Sequence, residues 1–268
     1  MEFLPSDGRL LELLGEKDLT NRYASTVMVE VEESTVEVSC SGILLSPHLV
    51  LTAGHCVCAW RKAPLLDGTP GILIDGSACA SQARVTAIRH VASEDPSRSA
   101  LRIRDFVGKV RPHPELKLTL DAREAVVTSH ADLAVILLEP PANLGLPDVP
   151  LAEAEARANE PLVMASYGNE QGLGGIYGTR YFKRGRVKNA QAAQGGVILY
   201  EPEGAYFNTG YRGGPCFREN EKGRWLLGVV GLGSDSEMSF TSIAFYRDWL
   251  REELRHAAAS GPADSRSP

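Results

Sequence analysis

The sequence predicts an all-β protein. Apolar and polar residues alternate with period two in one segment after another, as in TVMVEVEE (residues 26–33) and STVEVSCSGILL (34–45). Turn-rich pieces such as LLDGTPG and ASEDPSRS separate these segments at short intervals. A helical period occurs only near the two ends of the chain. Many short strands with a helix at each end indicate a barrel or a sandwich.

In chain order, GRLLELLGEK (8–17) reads as a short helix whose apolar side is Leu10, Leu13 and Leu14. The alternating segments 26–33 and 34–45 follow. HLVLTAGH (48–55) is more continuously apolar, as a strand buried on both faces would be. ARVTAIRHV (83–91), ALRIRDF (100–106) and ELKLTL (115–120) are further strands, and ADLAVILLEP runs up to Pro140-Pro141. PPANLGLPDVP has no period and reads as a linker. Strands resume with EPLVMASYG, RYFKRGRVKN, GVILYEP and WLLGVVGLG. SIAFYRDWLREELRHAAA is the closing helix, with Phe245, Trp249 and Leu250 available to dock, and SGPADSRSP is a disordered tail.

Composition narrows the function. The chain has 268 residues, a formal net charge of −6 and a pI near 5.6. That balance argues against nucleic acid or an anionic membrane as partner, since both need basic patches. No run of about 18 apolar residues suggests a transmembrane helix. The first residues, MEFLPSDGRLLELLGEKD, lack the basic start and apolar stretch of a secretory signal, so the expected location is the cytoplasm, or outside the cell if a leader has been removed. Five cysteines (Cys40, Cys56, Cys58, Cys79 and Cys216) leave at least one thiol free, which suits a reducing compartment better than an oxidising one.

Three pieces, in this order, carry chemistry: CSGILLSPHLVLTAGHC (40–56), HADLAVILLEP (130–140) and GYRGGP (210–215). With LLGVVGLG and SFTSIAFYRDWL behind them, they resemble the chymotrypsin/trypsin family of serine proteases over roughly residues 24–254. The resemblance implies two six-stranded antiparallel β-barrels facing each other across a cleft, with a C-terminal helix and a short N-terminal helical extension. The corresponding division is an extension (1–22), a first barrel (23–140), a linker (141–150), a second barrel with the helix (151–256) and the tail (257–268).

By the same resemblance, His55 stands where the family has its general base and Asp132 where it has the carboxylate that orients that base. Arg212 stands at the position of the nucleophile. The backbone N–H groups of Gly210 and Arg212 would form the oxyanion hole. Tyr206, Phe207, Gly231 and Gly233 would line the specificity pocket, and Cys40 would bond to Cys56. Cys58 and Cys79 have no family counterpart and are expected as two buried thiols. The chemistry behind such a set is plain. A hydroxyl attacks only when a base takes its proton, histidine titrates near neutrality, and a buried carboxylate fixes its tautomer. No cofactor or metal is implied.

Three departures set this chain apart. Arg212 has five donors and no acceptor, so it cannot attack a carbonyl. Tyr211 replaces the aspartate that, in the family, pairs with a new amino terminus after activation cleavage. Gly231 replaces a serine beside the orienting aspartate. No cleavable arginine is followed by an Ile-Val-Gly-Gly type sequence, although Arg9–Leu10 and Arg22–Tyr23 are bonds a protease could cut. Thr209 and Cys216 flank the turn, and neither is well placed as a substitute nucleophile. The expected function is therefore a non-proteolytic homologue, a pseudoprotease that acts as a monomeric binding or regulatory module for a protein or peptide in the cleft. The alternative is a serine endopeptidase, working in a proteolytic cascade, whose nucleophile has been replaced in this chain.

Overall fold

Antiparallel strands bury their apolar faces by curling into a closed sheet, and this chain does so twice. The computed structural model describes residues 15–31, 40–91, 100–167, 178–193, 195–204, 211–233 and 238–259. In the first half run β1 (Glu16–Lys17), β2 (Thr26–Glu30), β3 (Cys40–Ser46), β4 (Leu49–Thr52), β5 (Cys58–Pro64), β6 (Pro70–Cys79), β7 (Gln82–Val91), β8 (Ala100–Pro112), β9 (Lys117–Asp121), β10 (Val126–His130) and β11 (Ala134–Leu138). Six of them close an antiparallel barrel in the order β11-β4-β3-β2-β7-β8. Its interior is aliphatic, with Val27, Val29, Ile43, Leu49, Leu51, Val85 and Ile136 all buried. A second sheet, β10-β9-β6-β5, packs Ile74, Leu118 and Leu120 into the same core.

The second half supplies β12 (Pro161–Ser166), β13 (Tyr181–Ala193), β14 (Val197–Pro202), β15 (Pro215–Asn220), β16 (Gly223–Val230) and β17 (Met238–Ser242). They follow the order β13-β12-β15-β16-β17-β14, and β14 pairs back onto β13 to close the second barrel. The fold is thus the expected pair of six-stranded antiparallel barrels. Residues 141–150 between the halves carry no strand or helix. Helix α1 (Arg247–Ala259) lays Leu250 and Ala257 into the core and brings Glu253 to Arg111, 3.1 Å away. Among the described residues no helix is long and apolar enough to cross a membrane.

Several expectations need correction. Glu16 and Lys17 are not helical; they pair with Phe182 and Tyr181 on the edge of β13. Residues 8–14 of that expected helix lie outside the described residues. LLDGTPG is the turn of a hairpin whose arms, β5 and β6, lack a clear alternating pattern, as does β10. Cys58 and Cys79 are not thiols. They face each other across that hairpin and form a disulfide, beside the expected Cys40–Cys56 bond. Cys216 is the remaining cysteine; it is buried in β15, and burial pushes its thiol pKa up. Helix α1 ends at Ala259, as the expected closing helix does, but starts at Arg247 and not at Ser242.

The seam between the halves is closed by a buried ion pair. Arg180 and Asp18 are each 1% exposed, and Arg180 Nε donates to Asp18 Oδ2 at 2.8 Å. Arg180 Nη1 donates to Ile88 O at the first barrel (3.0 Å) and to Tyr167 Oη (2.8 Å). Asp18 in turn accepts the N–H groups of Arg22 and Tyr23. Burial alone would raise the Asp18 pKa, but the Arg180 guanidinium and those N–H groups outweigh it and hold the carboxyl below its ordinary range.

Arg180→Met strands a buried carboxylate and is expected to cost about 3–5 kcal/mol, read by urea unfolding at pH 7. The folded-state pKa of Asp18 lies below the unfolded value. The contribution of the pair is therefore present above about pH 4 and is lost as pH falls through the folded value. The stability gap between parent and variant should narrow in that acid window; a gap unchanged down to pH 2 would contradict the assignment.

Candidate functional site

His55 is delivered by the end of a buried strand. After β4 the chain stays extended at Ala53, then makes a 3-10 turn over Gly54–Cys56. The disulfide from Cys56 to Cys40 ties this turn to β3, and Thr52 Oγ1 donates to Ser41 O at 2.8 Å beneath it. The histidine is thus bracketed on both sides.

Asp132 arrives from the loop before β11. Ala131 adopts a left-handed φ of 50°. Its N–H is accepted by Tyr246 Oη at 2.8 Å, and the same hydroxyl donates to Gly195 O at 2.8 Å. One tyrosine from the start of α1 therefore fixes the bend that aims Asp132. The carboxylate is 1% exposed. Its Oδ1 accepts the His55 backbone N–H at 2.9 Å and its Oδ2 meets His55 Nδ1 at 2.7 Å. With Nδ1 donating to the carboxylate, Nε2 is the nitrogen left to act as a base. The ring itself is covered, with only 3% of the side chain exposed. Nε2 lies 3.7 Å from Cys56 Sγ.

Burial pushes the Tyr246 phenol up to about 12, so it keeps its proton and both bonds at neutral pH. Its ring lies 4.9 Å from that of His113, whose burial depresses its pKa. His113 Nδ1 accepts the Glu115 N–H, as a neutral imidazole can.

The turn over residues 211–214 comes up from the second barrel. Gly214 N donates to Tyr211 O at 3.0 Å, and Gly213 has φ +74°. That is the third position of a type II turn, which favours glycine. A Cβ on Gly213 would also come within 2.3 Å of Ser41 O and 3.0 Å of Cys56 Sγ. The turn is therefore pressed against the disulfide next to His55. Arg212 is half-buried, and its carbonyl accepts the Ser41 N–H at 2.9 Å.

Tyr211 is fully buried in the core of the second barrel. Gly15, at φ +95°, passes so close that a Cβ there would lie 2.9 Å from Tyr211 Oη and 2.5 Å from Phe182 O. The segment leading into Asp18 thus runs directly over this tyrosine. The Arg22–Tyr23 bond is unavailable for cutting: Tyr23 is fully buried, and the Arg22 N–H is bound to Asp18.

Gly231 sits beside Asp132, and a Cβ there would lie 3.6 Å from Asp132 Oδ2 and 3.5 Å from Ser239 Oγ. A serine would fit at that spot. Gly233 is half-buried two residues beyond it. Tyr206, Phe207, Thr209 and Gly210 lie outside the described residues. Of the expected site residues, His55 and Asp132 meet directly, and Gly231 and the Arg212 turn adjoin them. Tyr246, Asp18 and Arg180 were not anticipated, since nothing in their local spacing marks them. Among the described residues the one close group of metal-ligating types is Cys40, His55 and Cys56, and its sulfurs are committed to a disulfide.

The family model described as Trypsin matches residues 15–250. This chain belongs to the trypsin family. Among solved structures it is similar to neuropsin, a serine protease expressed in the limbic system of mouse brain. The identity is 17%, the TM-score 0.61, and the match covers 90% of this chain and 98% of that one. At that identity the likeness is one of fold. No curated protein matches the chain in sequence.

Tyr246→Phe removes a hydroxyl that serves two buried backbone groups, so it is expected to destabilise by about 1–3 kcal/mol. It should also shift the His55 Nδ1 proton resonance, because Asp132 loses the anchor of its bend. A variant with parent stability and an unmoved resonance would show that the bend is fixed by other means.

Proposed function

We propose that this trypsin-family chain does not hydrolyse peptides and works by binding, as a pseudoprotease module. What carries the reading is the side chain at 212, which stands where the family's chemistry needs a hydroxyl. A guanidinium has no lone pair to offer at neutral pH, and the His55 base opposite it would have no proton to take. Three further features support it. The His55 side chain is 3% exposed, so little of it faces solvent in this arrangement. Tyr211 supplies a neutral, buried anchor where the family uses a charge. Gly231 brings no hydroxyl of its own to the spot beside Asp132 Oδ2.

The binding partner in this reading is a protein or peptide, and the guanidinium of Arg212 would meet its carboxylate, which arginine can grip with two parallel bonds. The two disulfides favour an oxidising compartment. A second reading, an endopeptidase whose nucleophile has been replaced in this chain, draws support from the 2.7 Å contact between His55 and Asp132.

The purified chain is expected to resist fluorophosphonate labelling and to leave peptide substrates intact. Labelling at any residue, mapped by mass spectrometry, would overturn the proposal. Arg212→Ser separates the two readings. With Tyr211 and Gly231 unchanged, its turnover should remain at least ~10²-fold below the 1–10³ per second typical of enzymes. Turnover in that range would favour the endopeptidase.

A further inference from the structure

β7 and β8 form a long antiparallel ribbon, and the face that points into the first barrel is apolar at Ala83, Val85 and Ala87. Where the ribbon runs beyond the barrel, the same face turns cationic. Arg89 stands directly opposite Arg102, and Ala87 stands opposite Arg104. Like charges facing each other across a strand pair are unfavourable. Among the described residues, none of the three pairs with a carboxylate, in a chain whose formal charge is −6.

The arginines also surround a hollow. Its volume is about 110 Å³, and Ala87, Arg89, Arg102, Arg104, Asn143 and Leu144 line it. The small side chain of Ala87 leaves the space between them. Two of the guanidiniums are oriented by the linker. Arg89 Nη1 donates to Leu144 O at 3.0 Å, and Arg104 Nη1 donates to Asn143 O at 3.5 Å. Each bond uses one of five donors, so most of the N–H groups stay available.

We propose that this hollow is a binding site for a doubly charged tetrahedral oxyanion, a phosphate or sulfate group. The volume is several times the ~10–15 Å³ that one water molecule needs on the same measure, which leaves room for such a group. Arginine forks match its oxygens in pairs, and a dianion relieves the Arg89–Arg102 repulsion. The linker carbonyls hold the forks in place before the anion arrives. The site lies on the first barrel and does not depend on the reading of the cleft.

The test is calorimetric titration of the full chain with inorganic phosphate, inorganic sulfate and phenyl phosphate, against sodium chloride at matched ionic strength. Phosphate and sulfate should bind with one-site stoichiometry and raise Tm, whereas chloride should do neither. Phenyl phosphate binding as well as the inorganic anions supports a ligand that carries the group as an ester; inorganic anions alone supports the free ion. Arg102→Gln should weaken binding ~10- to 100-fold, the effect of losing charge-assisted hydrogen bonds. Arg102→Lys should restore only part of it, and Arg61→Gln, at an exposed arginine paired with Asp75, should change nothing. Arg102 is exposed, so folding should survive its substitution, and a parent-like unfolding curve for Arg102→Gln checks this. Binding that chloride reproduces, or that Arg102→Gln leaves unchanged, would overturn the proposal.

Discussion

The buried pair of Asp18 and Arg180 is the constraint on which the rest of the arrangement depends. Two charges taken out of water are tolerable only when nearly every donor and acceptor on them is used. Here those partners come from different parts of the chain: the N-terminal segment, Ile88 on the first barrel, and Tyr167 and Arg180 at the second. Satisfying the charges therefore fixes all of these relative to one another. Tyr23 extends the clamp. It is buried between Phe182 and Phe217, with ring centroids at 5.0 and 5.8 Å, and Arg224 lies over its face. A segment that precedes the first barrel in sequence is thus embedded in the second.

That clamp determines what surrounds the candidate site. With Asp18 held, Glu16 and Lys17 fall onto the edge of β13 and Gly15 passes over Tyr211. The segment thus covers the buried phenol of Tyr211. The buried charge at position 18 is balanced by the guanidinium of Arg180.

How much of this was legible follows from the range of each interaction. β7 and β9 could be read because part of each strand alternates between buried and more exposed residues, and β2, β3 and β12 because they are apolar and buried almost throughout. β5 and β10 could not, since their residues are largely exposed and no face was selected for burial. The Cys58–Cys79 bond follows from pairing β5 with β6, so missing the hairpin meant missing the disulfide. His55 and Asp132 were legible through the motifs around them, although they lie 77 residues apart. Asp18 and Arg180 lie 162 apart with no motif at either end, and Tyr246 reaches the site through backbone groups that carry no side-chain signature.

The intact His55–Asp132 pair does not by itself argue for catalysis. A carboxylate 1% exposed must have its oxygens satisfied, and among the described residues His55 supplies both partners, one from its backbone and one from its ring. Removing the imidazole would leave a buried acceptor without its donor, and removing the carboxylate would free the backbone N–H that holds the 3-10 turn in place. Each residue is required by the other and by the packing of the first barrel, whatever stands at 212. The second-barrel side of the cleft has no such internal obligation. The half-buried Arg212 side chain takes no part in the pairing of His55 with Asp132. Loss of proteolysis would therefore leave its mark where this chain departs from the family, in the turn from the second barrel and not in the histidine and aspartate of the first.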